Sequence, residues 1–570
     1  MLKGKLSKRI RLNYIFYLSV FFVFILPMLR LVIMSITVEH GIGLDNFVQL
    51  IKEQRTIRSI KNTIIIATGS TLISVGLGGI LAWIIAYMDI KRKRLIEILI
   101  LGQYVIPSYI ITLAWSNFLQ EKGFVNKGLL SFGFPAINLY SLWGIILVLG
   151  ICNTPMVYLI TLNMLRKIPR DLEWAARTSG YSQWETMLKI NLIQVMPALM
   201  SGGILSFLSA IDNFSVPAFL GISSGIPVLS TYIYEKAISF GPRAFSLAAA
   251  LSVMLSAIAI TGALLQGKLI RKSSGLESIK EDHSVRIQVK ERTRAIIEWT
   301  ILSLLACINL IPILSMVLSS FKKFYGAAFN TVNLSLRNYQ FVFTNRGVIQ
   351  AVRNSIGLAL ATCIVCILLG TAIAYIKVRR NPRAMKLVEY SASLTYAIPG
   401  IVLALAMIFH WTKVPNVYGT IKILLIAYST RYLILQIKGS TTALLAVELE
   451  LEEAAAVSGS TKVGTWRLII GPLIAKPVLS GTFFIFVSAM TELTLSSMLA
   501  AAGTKTIGLT IFNLQQSGDY NLSAAMSAAV ISMILLGYII TEGMKKISFG
   551  KLGKISYRQQ TQSKVVNRPC

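Results

Sequence analysis

The stretch EWAARTSG at residues 173–180 recurs as EEAAAVSG at residues 452–459, 279 residues further along the chain. Other matched pairs accompany it, all offset by 292 residues: NF at 46–47 and NY at 338–339, NT at 62–63 and NS at 354–355, and IP at 106–107 and 398–399. Because the same motifs occur twice in the same order, one half-length unit has been duplicated within the chain.

The composition predicts a membrane protein. Of the 570 residues, 54% are hydrophobic and 14% are charged, which excludes a disordered chain and a large appended soluble domain. A spanning helix needs about 20 mostly apolar residues, and twelve runs satisfy this length. They lie near residues 14–37, 62–88, 95–119, 139–163, 191–220, 245–267, 295–320, 352–376, 387–412, 418–437, 473–500 and 520–543. Pro197, Pro217 and Gly481 predict kinks or re-entrant segments within two of these runs.

An even number of spans per repeat gives both halves the same orientation. We therefore predict an all-α membrane protein with about 12 transmembrane helices, arranged as two parallel six-helix repeats. The chain carries a net charge of +32. With the N-terminus inside, the inner segments hold more than twice as many Lys and Arg residues as the outer ones, which predicts a multi-pass protein of the cell membrane with both termini in the cytoplasm. The charge is thereby explained without nucleic-acid binding.

The repeat also sets the predicted domain boundaries. The first half covers residues 1–267 and has its repeated loop at about 166–193, whereas the second half covers residues 295–544 and has its loop at about 439–472. Residues 268–294 are polar and charged and are predicted to form a cytoplasmic linker. Residues 545–570 are predicted to form a cytoplasmic C-terminal tail.

The repeated loop has the pattern of a helix, a turn and a second helix. Glu and Ala favour helix, and Gly180 or Gly459 can end it in a left-handed cap before a second short helix begins. Such an elbow, with small side chains that allow close backbone approach, suits docking into a groove of a cytoplasmic partner.

The loops resemble the EAA loop, E-A-A-x3-G-x9-I-x-L-P, of binding-protein-dependent ABC importer permeases. The second copy departs from this pattern at Gly471, and the first has Trp174 in the Glu position and Ile193 in the Pro position. The resemblance implies that each loop is a coupling helix for an ATPase subunit. The residues it implicates are Glu173, Ala175, Ala176, Gly180, Glu453, Ala454, Ala455 and Gly459. It also implies three partners besides the lipid bilayer and no nucleic acid: two copies of a cytoplasmic ABC ATPase subunit and an extracellular or periplasmic substrate-binding protein.

No motif in the sequence supports catalysis by this chain. A phosphate-binding G-x4-G-K-[ST] loop is absent, so ATP is expected to bind the partner subunits and no cofactor is expected here. There is no zinc-ligand or nucleophile pattern, and His40, His283 and His410 are widely separated. We expect a transport subunit with no catalytic residues and no metal site.

Polar side chains within predicted spans are costly and are candidates for the translocation path. They are Asp212, Asn213, Arg431 and Glu492. Asp212 and Asn213 correspond to Thr491 and Glu492 at the 279-residue offset, near the outer end of the fifth span of each half. The alternative is an interfacial residue bonded to the outer loop, and Arg431 could instead bond a neighbouring helix or extend towards the inner surface.

The substrate is indicated only by weaker resemblances. The segments after Asp212 and Glu492 resemble those of fused ferric-iron importer permeases, so ferric iron is the predicted substrate. Permeases for thiamine, polyamines and aminoethylphosphonate are similar and stay open as alternatives. An ion-coupled secondary transporter would also have twelve spans in two parallel halves, but its G-x3-D-R-x-G-R-R-like loop is not found after the second span.

Overall fold

The described part of the chain is almost entirely helical. The computed structural model describes residues 17–39, 41–121, 123–239, 241, 243–273, 281–326, 333–380 and 383–539. Within these ranges the only named strands, Thr37–Val38 and Gly41–Ile42, form a short antiparallel pair. The all-α prediction is confirmed, whereas the predicted tail at 545–570 lies outside the described residues.

The helices of the described residues occur in the same order in both halves, except that Phe124–Ser131 in the first half and Glu291–Leu305 in the second have no named counterpart. Those of the first half are Leu26–Ile36, Asp45–Lys52, Gln54–Tyr87, Lys93–Val105, Ser108–Phe118, Phe124–Ser131, Leu142–Lys167, Arg170–Thr178, Gln183–Thr186, Leu192–Asp212, Ser215–Leu220, Leu229–Ile238 and Ala244–Ser273. Those of the second half are Glu291–Leu305, Ile311–Ser320, Arg337–Thr344, Arg346–Arg380, Arg383–Ala397, Gly400–Trp411, Ile421–Leu445, Glu450–Val457, Lys462–Thr465, Gly471–Met490, Thr494–Leu499, Ile507–Gln516 and Tyr520–Ile539. Short π-helical turns lie at Phe21–Ile25, Met187–Asn191, Ala306–Leu310 and Trp466–Ile470.

Nine of the described helices are long and apolar enough to cross a membrane, and two bent helix pairs raise the number to eleven. The remaining predicted run forms the 25-residue helix Ile421–Leu445, which is not among the eleven and carries Lys422, Arg431 and Lys438. The structure therefore places nine to eleven spans in the described residues, where the sequence predicts about twelve.

The sharp breaks in the spans occur at the repeated Ile-Pro pairs. The first bent pair turns by 108° at Pro107 and the second by 113° at Pro399. Proline lacks an amide hydrogen and disfavours helical backbone in the residue before it, so a helix ends there. Helices continue through Pro197 and Gly481, so no re-entrant segment begins there, whereas Pro217 lies in the short helix Ser215–Leu220, which follows a break at residues 213–214.

Close approach of the long helices depends on glycine in both halves. A Cβ atom at Gly78 would lie 2.9 Å from the carbonyl oxygen of Thr154, and one at Gly370 would lie 2.8 Å from the Gln436 side chain. Gly78 and Gly370 correspond at the 292-residue offset. Small residues at such crossings let helices pack in a bilayer, where apolar burial from water contributes little.

The largest cluster of buried apolar side chains draws on both halves, so the halves share one core. Two smaller clusters lie beside the repeated loops. The one beside the first loop also includes Ile301, Leu302 and Leu305 from the opening helix of the second half, whereas the one beside the second loop draws only on the second half. The cluster beside the first loop thus draws on both halves.

Candidate functional site

Each half carries the predicted elbow of two helices. We call residues 170–191 the first elbow and residues 450–470 the second elbow. The first contains Arg170–Thr178, Gln183–Thr186 and the π turn Met187–Asn191, and the second contains Glu450–Val457, Lys462–Thr465 and the π turn Trp466–Ile470. The next helix follows each π turn directly, so each elbow is continuous with a long helix of its half.

A glycine in left-handed conformation ends the first helix of each elbow, as the sequence predicted. The φ angle is 90° at Gly180 and 80° at Gly459. The amide of Tyr181 donates to the carbonyl oxygen of Ala176 at 3.1 Å, and the second elbow repeats this bond at 2.9 Å. This is the bond pattern of the Schellman motif, which satisfies carbonyl groups at a helix end. The turn therefore has the same geometry in both halves.

The two alanines of each motif face in different directions. Ala176 and Ala455 are buried against the bundle, whereas Ala175 and Ala454 are exposed. Glu453 is exposed as well. One alanine thus packs the elbow onto its own half, and the other stays available to a partner.

Glu173 points into the protein, away from that exposed surface. Its carboxylate forms an ion pair with Arg286, and the two side chains are 12% and 2% exposed. The Asn191 amide donates to the same carboxylate at 2.6 Å, and Arg286 also donates to the carbonyl oxygen of Ile168 at 2.7 Å. Glu173 thus ties the first helix of the elbow to the π turn.

Glu452 holds the second elbow in the equivalent way. The Nε atom of Arg379 donates to its carboxylate at 2.6 Å, and the Tyr375 hydroxyl donates at 3.1 Å. Glu173 and Glu452 correspond at the 279-residue offset, so each elbow has one inward-facing glutamate paired with an arginine.

The predicted linker supplies the arginine of the first elbow. The amides of Arg286 and Ile287 donate to the carbonyl oxygen of Tyr87 at 3.0 and 2.9 Å, and the Gln183 side chain donates to the Arg286 carbonyl at 3.1 Å. Burial raises the pKa of the nearby Asp282 carboxyl, but hydrogen bonds from Ser284 and the charges of Arg286 and Arg170 together hold it below its ordinary value. Residues 281–290 are therefore bound along the first half.

Helices extend into the predicted linker from both sides. Ala244–Ser273 runs past residue 267, and Glu291–Leu305 begins before residue 295. The contribution of Arg286 was missed because polar composition alone does not distinguish a bound segment from a free one.

Asp212 joins the two halves. One of its carboxylate oxygens accepts a hydrogen bond from the Gly400 amide at 2.6 Å, and the other from Arg431 at 2.7 Å. The Asp212 side chain is 36% exposed and that of Arg431 is 10% exposed. Both of these donors belong to the second half. The alternative interpretation had Asp212 bonded to the outer loop of its own half instead.

Asn213 and Glu492 occupy equivalent capping positions. The Asn213 side-chain oxygen accepts from the Val216 amide at 2.9 Å, and the Glu492 carboxylate accepts from the Leu495 amide at 3.0 Å. Each side chain therefore caps the first turn of the short helix that follows it. Glu492 additionally accepts a hydrogen bond from the Tyr432 hydroxyl.

The contact between Asp212 and Arg431 has no counterpart at the equivalent positions of the repeat. At the 279-residue offset, Asp212 corresponds to Thr491 and Arg431 corresponds to Cys152. Neither counterpart carries a charge, so the second half cannot return the same bond to the first. The four candidate residues thus divide into a bridge, formed by Asp212 and Arg431, and two helix caps.

The duplicated elbows agree with the family to which the sequence is related. The model of the family described as "Binding-protein-dependent transport system inner membrane component" matches residues 74–274 and again residues 366–553. The chain belongs to this family. It is a multi-pass integral membrane permease subunit of an ABC importer, and the resemblance of its loops to the EAA motif is confirmed at the level of the family.

Among the relatives of this importer permease is the ferric transport system permease protein FbpB of Actinobacillus pleuropneumoniae. The two are 24% identical over 528 residues, which cover 91% of this chain and 75% of that protein. The putative 2-aminoethylphosphonate transport system permease protein PhnU of Salmonella paratyphi A is 29% identical over 201 residues, covering 35% of this chain and 69% of that protein. A solved bacterial ABC transporter involved in alginate import matches with a TM-score of 0.38 and 20% identity, covering 47% of this chain and 99% of that chain.

Proposed function

We propose that this permease passes ferric iron from an extracellular binding protein to the cytoplasm, driven by two separate ATPase subunits. The observation that carries the ATPase part is the pair of elbows, which present an exposed alanine and a left-handed glycine on the same turn in both halves. The family description itself names transport that depends on a binding protein.

Each elbow is joined to a helix that ends at or beside a candidate residue of the translocation path. The first elbow continues into Leu192–Asp212, whose last residue is the bridging Asp212, and the second continues into Gly471–Met490, which ends just before Glu492. At 1.5 Å per residue, a helix of this length spans roughly 30 Å. Displacement of an elbow by a closing ATPase would therefore shift the contact between the halves, an equilibrium that ATP binding biases.

The residues assigned to ATPase coupling play two parts in this proposal. Ala175, Gly180, Ala454 and Gly459, with Glu453, form the docking surface. Glu173, Ala176 and Ala455 hold that surface to the bundle through their buried contacts. The chain is proposed to hydrolyse no ATP itself, in keeping with the absence of a phosphate-binding loop motif from its sequence.

Ferric iron is favoured by the extent of the similarity. The ferric transport relative aligns with 91% of the chain, whereas the aminoethylphosphonate relative aligns with 35%. The higher identity of the second alignment, 29% against 24%, makes 2-aminoethylphosphonate the second candidate. Both termini are proposed to be cytoplasmic, on the distribution of Lys and Arg.

The test is uptake by proteoliposomes that contain the permease and its ATPase subunits, with the binding protein outside and ATP inside. We expect ferric iron uptake that requires all three components and stops with vanadate. Uptake of 2-aminoethylphosphonate, thiamine or spermidine without uptake of ferric iron would identify that compound as the substrate instead. Uptake by the permease alone, driven by an ion gradient, would contradict the importer mechanism.

A further inference from the structure

Three tyrosines and a carboxylate gather where the two halves meet. Tyr109 lies on Ser108–Phe118 of the first half, whereas Tyr428 and Tyr432 lie on Ile421–Leu445 of the second half. Glu492 follows the helix Gly471–Met490. The Tyr109 ring stacks on Phe219 at 6.0 Å, and Phe219 contacts Phe512 of the second half at 5.4 Å, both between ring centroids. The cluster is therefore built from both halves.

Two of the tyrosine hydroxyls are buried without a hydrogen bond. Tyr109 is 2% exposed and Tyr428 is fully buried, and neither hydroxyl has a partner among the residues that the structure describes. The Ser496 hydroxyl lies near that of Tyr428, but no bond of acceptable geometry joins them. An unpaired hydroxyl in an apolar interior costs free energy, so such groups call for an explanation in a ligand or a function.

The charge of Glu492 acts on all three tyrosines. Its carboxylate accepts the hydrogen bond from Tyr432 and interacts electrostatically with both Tyr109 and Tyr428. The rings of Tyr428 and Tyr432 lie 6.4 Å apart between centroids. One phenol thus bonds the carboxylate, and the other two lie within range of its charge.

The repeat architecture does not require these side chains. At the offsets of 292 and 279 residues, Tyr109 corresponds to Ile401, Tyr428 to Leu149, Tyr432 to Asn153 and Glu492 to Asn213. None of the four counterparts is a phenol or a carboxylate. The cluster therefore occurs at one of the two places that the repeat relates and not at the other. The fold of each half does not require it.

The adjacent arginine does not cancel the charge of the cluster. Arg431 interacts electrostatically with Glu492, but its guanidinium donates directly to Asp212. The two carboxylates and one guanidinium leave an excess negative charge beside the phenols. Such a setting attracts a cation.

We propose that Tyr109, Tyr428, Tyr432 and Glu492 form a transient binding site for ferric iron on the translocation path. The inference rests on the proposed substrate. In the part of the chain that the structure describes, no group of three or more His, Cys, Asp or Glu side chains could hold a metal ion. Phenolate and carboxylate oxygens, however, suit a hard cation such as Fe³⁺, and tyrosine is a known iron ligand in proteins. Each phenol that coordinates as phenolate releases its proton to water.

The site also contains its own means of release. Tyr109 belongs to the first half and the other three ligands to the second half. Separation of the halves during transport withdraws one ligand and exposes the others to water. Binding and release thus follow from the same movement that opens the path.

The experiment uses the full-length permease with its ATPase subunits in lipid nanodiscs. Ferric nitrilotriacetate is added without nucleotide and, separately, with ADP and vanadate, and visible absorption is recorded. We expect the charge-transfer band of iron bound to phenolate in at least one state. Removing a group that only supports a metal ligand lowers metal affinity roughly 10- to 100-fold. Tyr109→Phe and Tyr428→Phe each remove a proposed ligand itself, so they should weaken iron binding at least this much.

Tyr158→Phe is the matched control, because Tyr158 is also fully buried with an unpaired hydroxyl but lies outside the cluster. It should leave the band unchanged, and all variants should retain their ATPase subunits. Absence of the band in both states, or a band unaffected by the Tyr109 and Tyr428 substitutions, overturns the site. Ferric uptake that persists in that case leaves the proposed function standing. A tyrosine-dependent band without ferric uptake contradicts the proposed substrate instead.

Discussion

The first and second elbows follow the same backbone path, but the arginine that holds each one comes from a different place. Arg379 belongs to Arg346–Arg380, a helix of the same half as its glutamate, whereas Arg286 comes from the segment that joins the halves. The backbone geometry of the repeat is thus retained while the source of the anchoring charge has changed. The arginine that pairs with each glutamate is therefore the one that lies beside it in the fold, and it need not occupy the equivalent position of the repeat.

The exposed surfaces of the elbows differ as well. The first presents Trp174 and Trp184, and the second presents Glu453 and Val463 at the equivalent positions. Two identical ATPase subunits would therefore meet unlike surfaces. Four sets of substitutions test how the two halves are held and how they differ.

Replacing Arg286 with Met should have the largest effect. It leaves the Glu173 carboxylate buried without its counter-ion, a change that costs about 3–5 kcal/mol. Arg379→Met should cost less, because Arg379 and Glu452 are 12% and 16% exposed, against 2% and 12% for Arg286 and Glu173. Hydrogen exchange of the elbow amides and co-purification of the ATPase subunits measure the loss. The double variant Arg286→Met with Glu173→Gln should recover much of it, and equal losses from the two arginine variants would refute the difference in anchoring.

Asp212→Asn tests the bridge between the halves. Arg431 then keeps a hydrogen-bonding partner but loses its opposing charge, and we expect a cost of about 2 kcal/mol because Asp212 is partly exposed. Ferric uptake and the thermal stability of the complex report the change. The control is Thr491→Val, since among the residues that the structure describes the Thr491 hydroxyl bonds only the Val487 carbonyl of the preceding helix. If both variants behave alike, the bridge has no special role.

Gly459→Val and Gly180→Val test the turns. A Cβ atom at either position meets no other atom of the chain within 4 Å, so within the permease the effect comes from the backbone conformation. The left-handed conformation costs a residue with a Cβ roughly 1–2 kcal/mol, and asparagine tolerates it better. Uptake should fall in both valine variants and stay near normal in Gly459→Asn. A valine variant with full uptake would show that the turn can relax without consequence.

Trp174→Glu gives the first elbow the glutamate that the second elbow has at the equivalent position. We expect this substitution to have the smallest effect. The side chain is exposed and stacks with Arg170, whose guanidinium lies 5.4 Å from its ring centroid. Exposed substitutions usually change stability by about 0.5 kcal/mol or less. Thermal unfolding should be unchanged, and the affinity for the ATPase subunits should differ little. A large gain in affinity would mean that Trp174 weakens docking at the first elbow.

Local patterns in the sequence predicted the features that depend on local physics. The left-handed caps at Gly180 and Gly459 follow from helix-forming residues before a glycine, and the repeat predicted their recurrence. The partners of Glu173 and Asp212 could not be predicted, because they lie 113 and 219 residues away along the chain. Pairings over such distances depend on how helices cross, and hydrophobic periodicity does not specify this.

The bridge between Asp212 and Arg431 has an evolutionary consequence. In a homodimer a mutation changes both subunits, so a charge pair across the interface would occur twice. Fusion of the halves frees each copy to mutate alone, and an acidic residue can then arise on one side and its basic partner on the other. Neither half, expressed by itself and paired with a second copy, could rebuild this contact. The bridge thus commits the two halves to each other.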